Sequence, residues 1–142
     1  MILPDVNVLV YAFRRDTPHH RICRVWLQEV VAADSAFAVN GSVLSGFLRI
    51  VTHPAVFERP STLRAALGFC HAIREQPNCR EVSPGGRHWE IFERLCTETV
   101  ATGNLVPDAW LAAIAIESGC RLATFDRERA GFRDLRTVSV EI

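Results

Sequence analysis

The spacing of hydrophobic positions changes repeatedly along this chain, between short continuous runs and stripes that recur every three to four residues. Met1 to Pro4 is a short apolar run cut off by Asp5, which predicts a strand. Val6 to Phe13 continues in a pattern that suits strand or helix equally. Thr17 and Pro18 form a cap and first turn, and Ile22, Val25, Trp26 and Val30 then make an apolar stripe, predicting a helix to about Ala33. Ser35 to Val39 reads as a buried strand closed by a turn at Asn40-Gly41, followed by a helix from Ser42 to about Val51.

His53 to Pro60 reads as a loop. Ser61 is the expected cap of a helix carrying Leu63, Leu67, Cys70 and Ile73, which Pro77 ends. Glu81-Val82 is a short strand candidate, and Pro84-Gly85-Gly86 is a break. Trp89, Phe92, Leu95, Cys96 and Val100 mark a helix to about Gly103. Pro107 opens a helix over Asp108 to Ser118 that Gly119 stops. Arg121 to Phe125 and Leu135 to Val140 are the last predicted strands. Strands alternating with helices predict an α/β fold with a mainly parallel central sheet, organised as one domain over residues 1–142.

Composition narrows the chemistry. The chain is 49% hydrophobic and 23% charged, with 16 basic and 16 acidic residues and a net charge of zero, so any nucleic acid must be held by a local patch. Every basic residue is arginine, which removes the P-loop lysine, the Schiff-base lysine and the lysine of receiver domains. The five cysteines are widely spaced without a CxxC pair, as expected for reduced, mostly buried thiols. Pro4, Asp5, Asn7, Arg14 and Arg15 interrupt the first apolar stretch, unlike a signal peptide, and no window reaches the roughly 18 apolar residues of a membrane span. The expectation is a soluble cytoplasmic protein with no membrane partner. No GxSxG elbow or HExxH is present; the histidines are expected at surface or half-buried positions, and Trp26, Trp89 and Trp110 in the core.

Asp5 follows the first strand, Asp108 begins a helix and Asp126 follows a late strand. In a parallel sheet the carboxyl ends of strands share one crevice, so three carboxylates far apart in sequence can converge there. Such a cluster must be offset by a cation, and hard oxygen donors select Mg²⁺ or Mn²⁺, which lower the pKa of bound water and neutralise phosphate charge. Taken singly, Asp5 and Asp126 equally suit Asx-turns, and Asp108 a helix-dipole contact.

Four segments together resemble the PIN-domain ribonucleases, and within them the VapC-type toxins of toxin–antitoxin modules. They are Met1-Ile-Leu-Pro-Asp5-Val-Asn7-Val-Leu, Val43-Leu-Ser-Gly46-Phe-Leu-Arg49-Ile-Val-Thr52, Pro107-Asp108-Ala-Trp110-Leu-Ala-Ala113 and Ala123-Thr-Phe-Asp126-Arg127. The resemblance covers nearly the whole chain. It implies an α/β/α sandwich whose acidic cleft binds Mg²⁺ or Mn²⁺ through Asp5, Asp108 and Asp126 and hydrolyses RNA endonucleolytically, leaving a 3′-hydroxyl and a 5′-phosphate. It also implies a small VapB-like antitoxin whose C-terminal segment blocks the cleft, and a homodimer. Asn7 would brace Asp5 or its loop.

One departure concerns the second motif, where the family usually supplies a glutamate ahead of Phe-Leu-Arg and this chain has Gly46. The loss removes one negative charge and favours, as an alternative, a catalytically weakened scaffold that binds RNA or an antitoxin. Glu128 is a candidate to restore the charge. Arg49 could approach substrate phosphate or a neighbouring carboxylate. Arg14 and Arg15, with Arg21 and Arg24, form the densest basic cluster and suit an RNA-binding rim, a solvated face or a docking surface for an acidic segment.

Overall fold

The computed structural model describes residues 1–125 and 131–140. In chain order the elements are β1 (Ile2–Pro4), α1 (Val6–Phe13), α2 (His20–Ala32), β2 (Phe37–Val39), α3 (Gly41–Val51), α4 (Leu63–Arg74), β3 (Cys79–Glu81), α5 (His88–Thr99), α6 (Leu105–Ser118), β4 (Arg121–Thr124) and β5 (Thr137–Ser139). Every described ladder is parallel: β4 lies between β1 and β5, β2 pairs with β3, and β1 packs beside β2. The α/β fold expected from the alternating pattern is the fold observed. Among the described residues no helix is long and apolar enough to cross a membrane.

The register of β1 on β4 sets Pro4 opposite Ala123, so Asp5, which follows β1, and Thr124, the last residue of β4, lie at neighbouring points of one sheet edge. The ambiguous segment after Asp5 is helical, because the Asp5 carboxylate caps it by accepting from Val6 N. Val8, Leu9, Val10 and Ala12 of α1 are all buried. A continuous apolar run satisfies a helix as well as a strand when it is covered on most sides, as here by α2 and α3. Phe13, Phe47 and Phe69 join α1, α3 and α4, with ring centroids 5.1–5.4 Å apart. Each such contact contributes about 0.5–1.5 kcal/mol beyond area burial.

Helix α6 is buried almost all round, through Ala109, Leu111, Ala112, Ala113, Ile114 and Ala115. It begins two residues before the expected Pro107, which sits inside the first turn, where its missing N–H costs no helical hydrogen bond. Helix α5 packs on α6, and Ile91, Leu95, Ala109, Ala112, Ala113 and Phe132 form a second, smaller core there.

Several local expectations are revised. Asn40 is the N-cap of α3 rather than half of a turn, and Thr62, not Ser61, caps α4. Thr17 donates its hydroxyl to Arg14 O, and α2 starts at His20 without a side-chain cap. Helix α5 stops at Thr99 because Val100 takes the left-handed conformation at φ 50°. Such a backbone is unfavourable for a β-branched residue, and Val100 is left exposed. Trp89 is 62% exposed, since it lies on the side of α5 away from α6, so it is no core residue. His88 is fully buried instead, with its ring packed against Trp110 at a centroid distance of 4.2 Å and Nε2 2.9 Å from Trp110 O. The five thiols are free, and burial pushes the Cys23 thiol up to about 11, which keeps it protonated and inert.

Candidate active site

A cavity of about 680 Å³ opens where β1, α1, α3 and α6 meet, and its walls include Asp5, Asn7, Gly46, Arg49 and Asp108. Residues 103 positions apart in sequence are thereby brought to one hollow, as the parallel topology requires. Ser42, Ser45, Asn104 and Trp110 complete its polar and aromatic lining.

Asp5 is 1% exposed and held on three sides. Its N–H donates to Ala123 O at 2.9 Å, which continues the β1–β4 ladder by one residue. Oδ1 accepts from Val6 N at 2.7 Å, and Oδ2 accepts from the Thr124 hydroxyl at 2.9 Å. A buried carboxylate without donors would be strongly disfavoured, so these two bonds satisfy both oxygens and fix its orientation. Asp108 lies in the first turn of α6, where its negative charge interacts favourably with the helix dipole. The position of α6 is set by its buried circumference, so the Asp108 backbone is located by packing on all sides.

Helix α3 supplies the third wall. Asn40 orients it by accepting from Ser42 N at 2.9 Å while Nδ2 donates to Val82 O at 2.8 Å; the same Oδ1 accepts from the Ser42 hydroxyl. Val43, Leu44, Phe47 and Val51 face the core, which turns Ser42, Ser45, Gly46 and Arg49 toward the hollow. Arg49 is exposed in the last turn of α3. At Gly46, a Cβ would lie 3.3 Å from Val6 Cγ2, a tight contact that the Val6 side chain would have to relieve by a few tenths of an ångström. The position where the resemblance expects a glutamate is therefore occupied by a glycine that lines the hollow and packs beside Val6, the residue next to Asp5.

The basic rim divides. Arg14 is engaged within the fold: its guanidinium pairs with Asp16, donates to Arg59 O and Ser61 Oγ at 2.8 and 2.9 Å, and lies 3.9 Å above the Phe57 ring. This pairing holds the Asp16 carboxyl below its ordinary range. Arg15 is exposed, and with Arg24 it lines a separate shallow groove between α1, α2 and α4. Neither Arg14 nor Arg15 lines the main cavity.

Asp126 and Glu128 lie outside the described residues. Among the described residues no group of three or more histidines, cysteines or acids is placed to share a metal ion, and the described part of the expected set is the pair Asp5 and Asp108. Their chemistry suits a hard divalent cation, since both are carboxylates and the polar groups around them include the hydroxyls of Ser42 and Ser45 and the amides of Asn7 and Asn104. Sequence reasoning passed over Thr124, Ser42 and Asn104. Thr124 sits inside the Ala123-Thr-Phe-Asp126 motif, and Ser42, Ser45 and Arg49 recur at the helical period opposite the apolar stripe, so both carried a signal. Asn104, which precedes α6 without capping it through its side chain, carried none.

A family profile described as PIN domain matches residues 2–136. Ribonuclease VapC25 of Mycobacterium tuberculosis is 43% identical over 138 residues, covering 97% of each chain. Ribonuclease VapC31 of the same species is 41% identical over 138 residues, again 97% of each. Among solved structures, VapBC2 from Rickettsia felis bound to a DNA fragment from its promoter superposes with a TM-score of 0.73 at 17% identity, over 98% of both chains. Mycobacterium tuberculosis VapC20, described as a Sarcin-Ricin loop cleaving toxin, gives a TM-score of 0.65 at 18% identity, over 96% of this chain and 99% of that one. At these identities the structural likeness shows the fold.

Proposed function

This chain belongs to the PIN-domain family, among the VapC ribonucleases, and from that premise we propose that it is the toxin of a toxin–antitoxin pair and a Mg²⁺- or Mn²⁺-dependent endoribonuclease. The observation that carries the reading is the convergence of Asp5 and Asp108 on one cavity, with the Asp5 carboxylate held by Thr124 and Val6 N. In this reading Asp5, Asp108 and Asp126 hold the ion, with Glu128 supplying further charge. A divalent cation bound there supplies Lewis-acid activation of water and charge neutralisation at the scissile phosphate.

The chain's own residues do the rest. The Thr124 hydroxyl and Val6 N keep the Asp5 carboxylate satisfied and aimed, and Asn7, at the cavity wall, braces the turn after β1. Arg49 reaches a phosphate oxygen from the opposite wall, where a guanidinium offers paired donors. Exposed Arg15 meets the strand farther along, while Arg14 shapes the corner that presents it. The reading gives the chain an RNA substrate and a small VapB-like antitoxin as partner, supported by the VapBC assemblies among its structural likenesses.

The test is cleavage of total or structured RNA by the purified protein with Mg²⁺ or Mn²⁺, with EDTA and Asp5→Asn as controls. Metal-dependent cuts lost in both controls are expected. Cleavage by Asp5→Asn at the wild-type rate would overturn the assignment. Gly46, which leaves this wall of the cavity without a carboxylate, favours a second reading, a PIN scaffold that binds RNA or antitoxin without turnover. Absence of cleavage with either metal, beside retained RNA binding, would select it.

A further inference from the structure

The corner between α1 and α2 holds three rings that the carboxylate site does not use. Phe125, half-buried, follows Thr124 at the end of β4 and immediately precedes Asp126 in the chain. The exposed imidazole of His19 lies on it almost flat, with centroids 4.8 Å apart and planes inclined by 16°. Tyr11 supports both rings at an angle, 5.4 Å from His19 and 5.7 Å from Phe125.

The corner is built rather than incidental. His20 Nδ1 lies 2.8 Å from Tyr11 O and, since a carbonyl only accepts, carries the proton. The Thr17 hydroxyl closes the same turn onto Arg14 O at 2.7 Å. His19 itself stands at the cap position of α2 and makes no side-chain cap bond there, so its ring has no helix-capping duty. A ring that served only the core would be covered, and this one is exposed. Its support begins one residue beyond Thr124, which donates to Asp5, and exposed Arg15 and Arg21 flank it along the chain.

Flat rings backed by other rings and bordered by arginines, whose base Phe125 follows directly on Thr124 of the carboxylate site, are what an unpaired base needs for stacking. We propose that His19, seated on Phe125 and Tyr11, is the stacking platform for one unpaired nucleobase of the RNA strand next to the cut phosphate. The proposal rests on the ribonuclease reading. It makes the substrate single-stranded at that nucleotide, and it makes His19 a binding residue rather than a catalytic one.

The test uses the full chain in EDTA, so that the strand is not cut. The affinities for a labelled short single-stranded RNA of random sequence and for a fully paired duplex are measured by fluorescence anisotropy. His19→Ala is expected to weaken single-strand binding roughly tenfold, leave duplex binding unchanged, and be rescued by His19→Trp. Equal single-strand affinity of His19→Ala and wild type would overturn the platform, as would a loss shared equally by the duplex, which would mark a charge contact. Failure of the ribonuclease reading appears separately, as a wild-type chain that does not cut RNA with Mg²⁺ or Mn²⁺. Circular dichroism checks that the variants keep their helices.

Discussion

Removing the Asn40 side chain tests how β2 hands the chain to α3, and therefore how the wall carrying Gly46 and Arg49 is held. Asn40 is 3% exposed and works in two directions. Oδ1 caps α3 by accepting from Ser42 N at 2.9 Å, and Nδ2 donates to Val82 O at 2.8 Å, just beyond β3. Asn40→Ala removes the cap, at about 1 kcal/mol. It also leaves the Val82 carbonyl without this donor in a buried setting, at about 1–3 kcal/mol. The expected loss is about 2–4 kcal/mol, or roughly 6–12 °C in Tm for a chain of this size. Asn40→Asp separates the two contributions. It keeps the cap and adds a favourable charge at the helix N-terminus, yet it sets a carboxylate oxygen against the Val82 carbonyl. It should be destabilised at neutral pH and regain stability on acidification, because the protonated carboxyl can donate again. Urea titration of the three proteins, followed by circular dichroism, gives the numbers. A loss below about 1 kcal/mol for Asn40→Ala, or an Asp variant as stable as wild type at neutral pH, would refute the reasoning.

Two further outcomes are expected. Thr124→Val removes the hydroxyl that donates to Asp5 Oδ2 at 2.9 Å while keeping the side-chain volume, so the Mg²⁺ concentration for half-maximal RNA cleavage should rise about 10–100-fold, with Thr124→Ser close to wild type; a Val variant that titrates like wild type would refute it. Glu117 accepts from Gly85 N at 2.7 Å and Arg87 N at 2.8 Å, which tie the loop before α5 to α6 and hold its carboxyl below the ordinary 4.5. A carboxyl depressed in the folded state contributes stability that is complete above its unfolded value and lost as pH falls through the folded one. Glu117→Gln should therefore flatten the acid limb of the stability profile below about pH 4.5, and superimposable acid limbs would refute it.

Gly85 packs closely on Glu117: a Cβ there would meet Glu117 Oε2 at 2.8 Å, so a side chain would have to shift the carboxylate that Gly85 N and Arg87 N hold. The same logic separates what was legible in the sequence from what was not. Pro84-Gly85-Gly86 could be read as a break, but the carboxylate that ties it down, that of Glu117, lies about 30 residues later. Likewise His88 sits in a helix whose apolar stripe was plain, while its burial depends on Trp110 and Phe92 closing over it. Trp89, one residue on, points away and stays exposed for the same geometric reason.

Local order was determined by the sequence itself. Alternation of apolar runs and stripes, prolines, glycines and caps placed the strands and helices to within a few residues, and the ordered acidic motifs named Asp5 and Asp108. These signals are short-range, set by backbone sterics and by the period at which a face must be apolar. Only the tertiary structure decided between helix and strand for residues 6–13, since burial on several sides erases the periodicity that distinguishes them. It alone paired Thr124 with Asp5, turned Arg14 inward, set Gly46 beside Val6 and laid His19 on Phe125. Each of these contacts depends on which strand ends lie side by side, and that is settled by the burial of the whole core rather than by any stretch of the chain read alone.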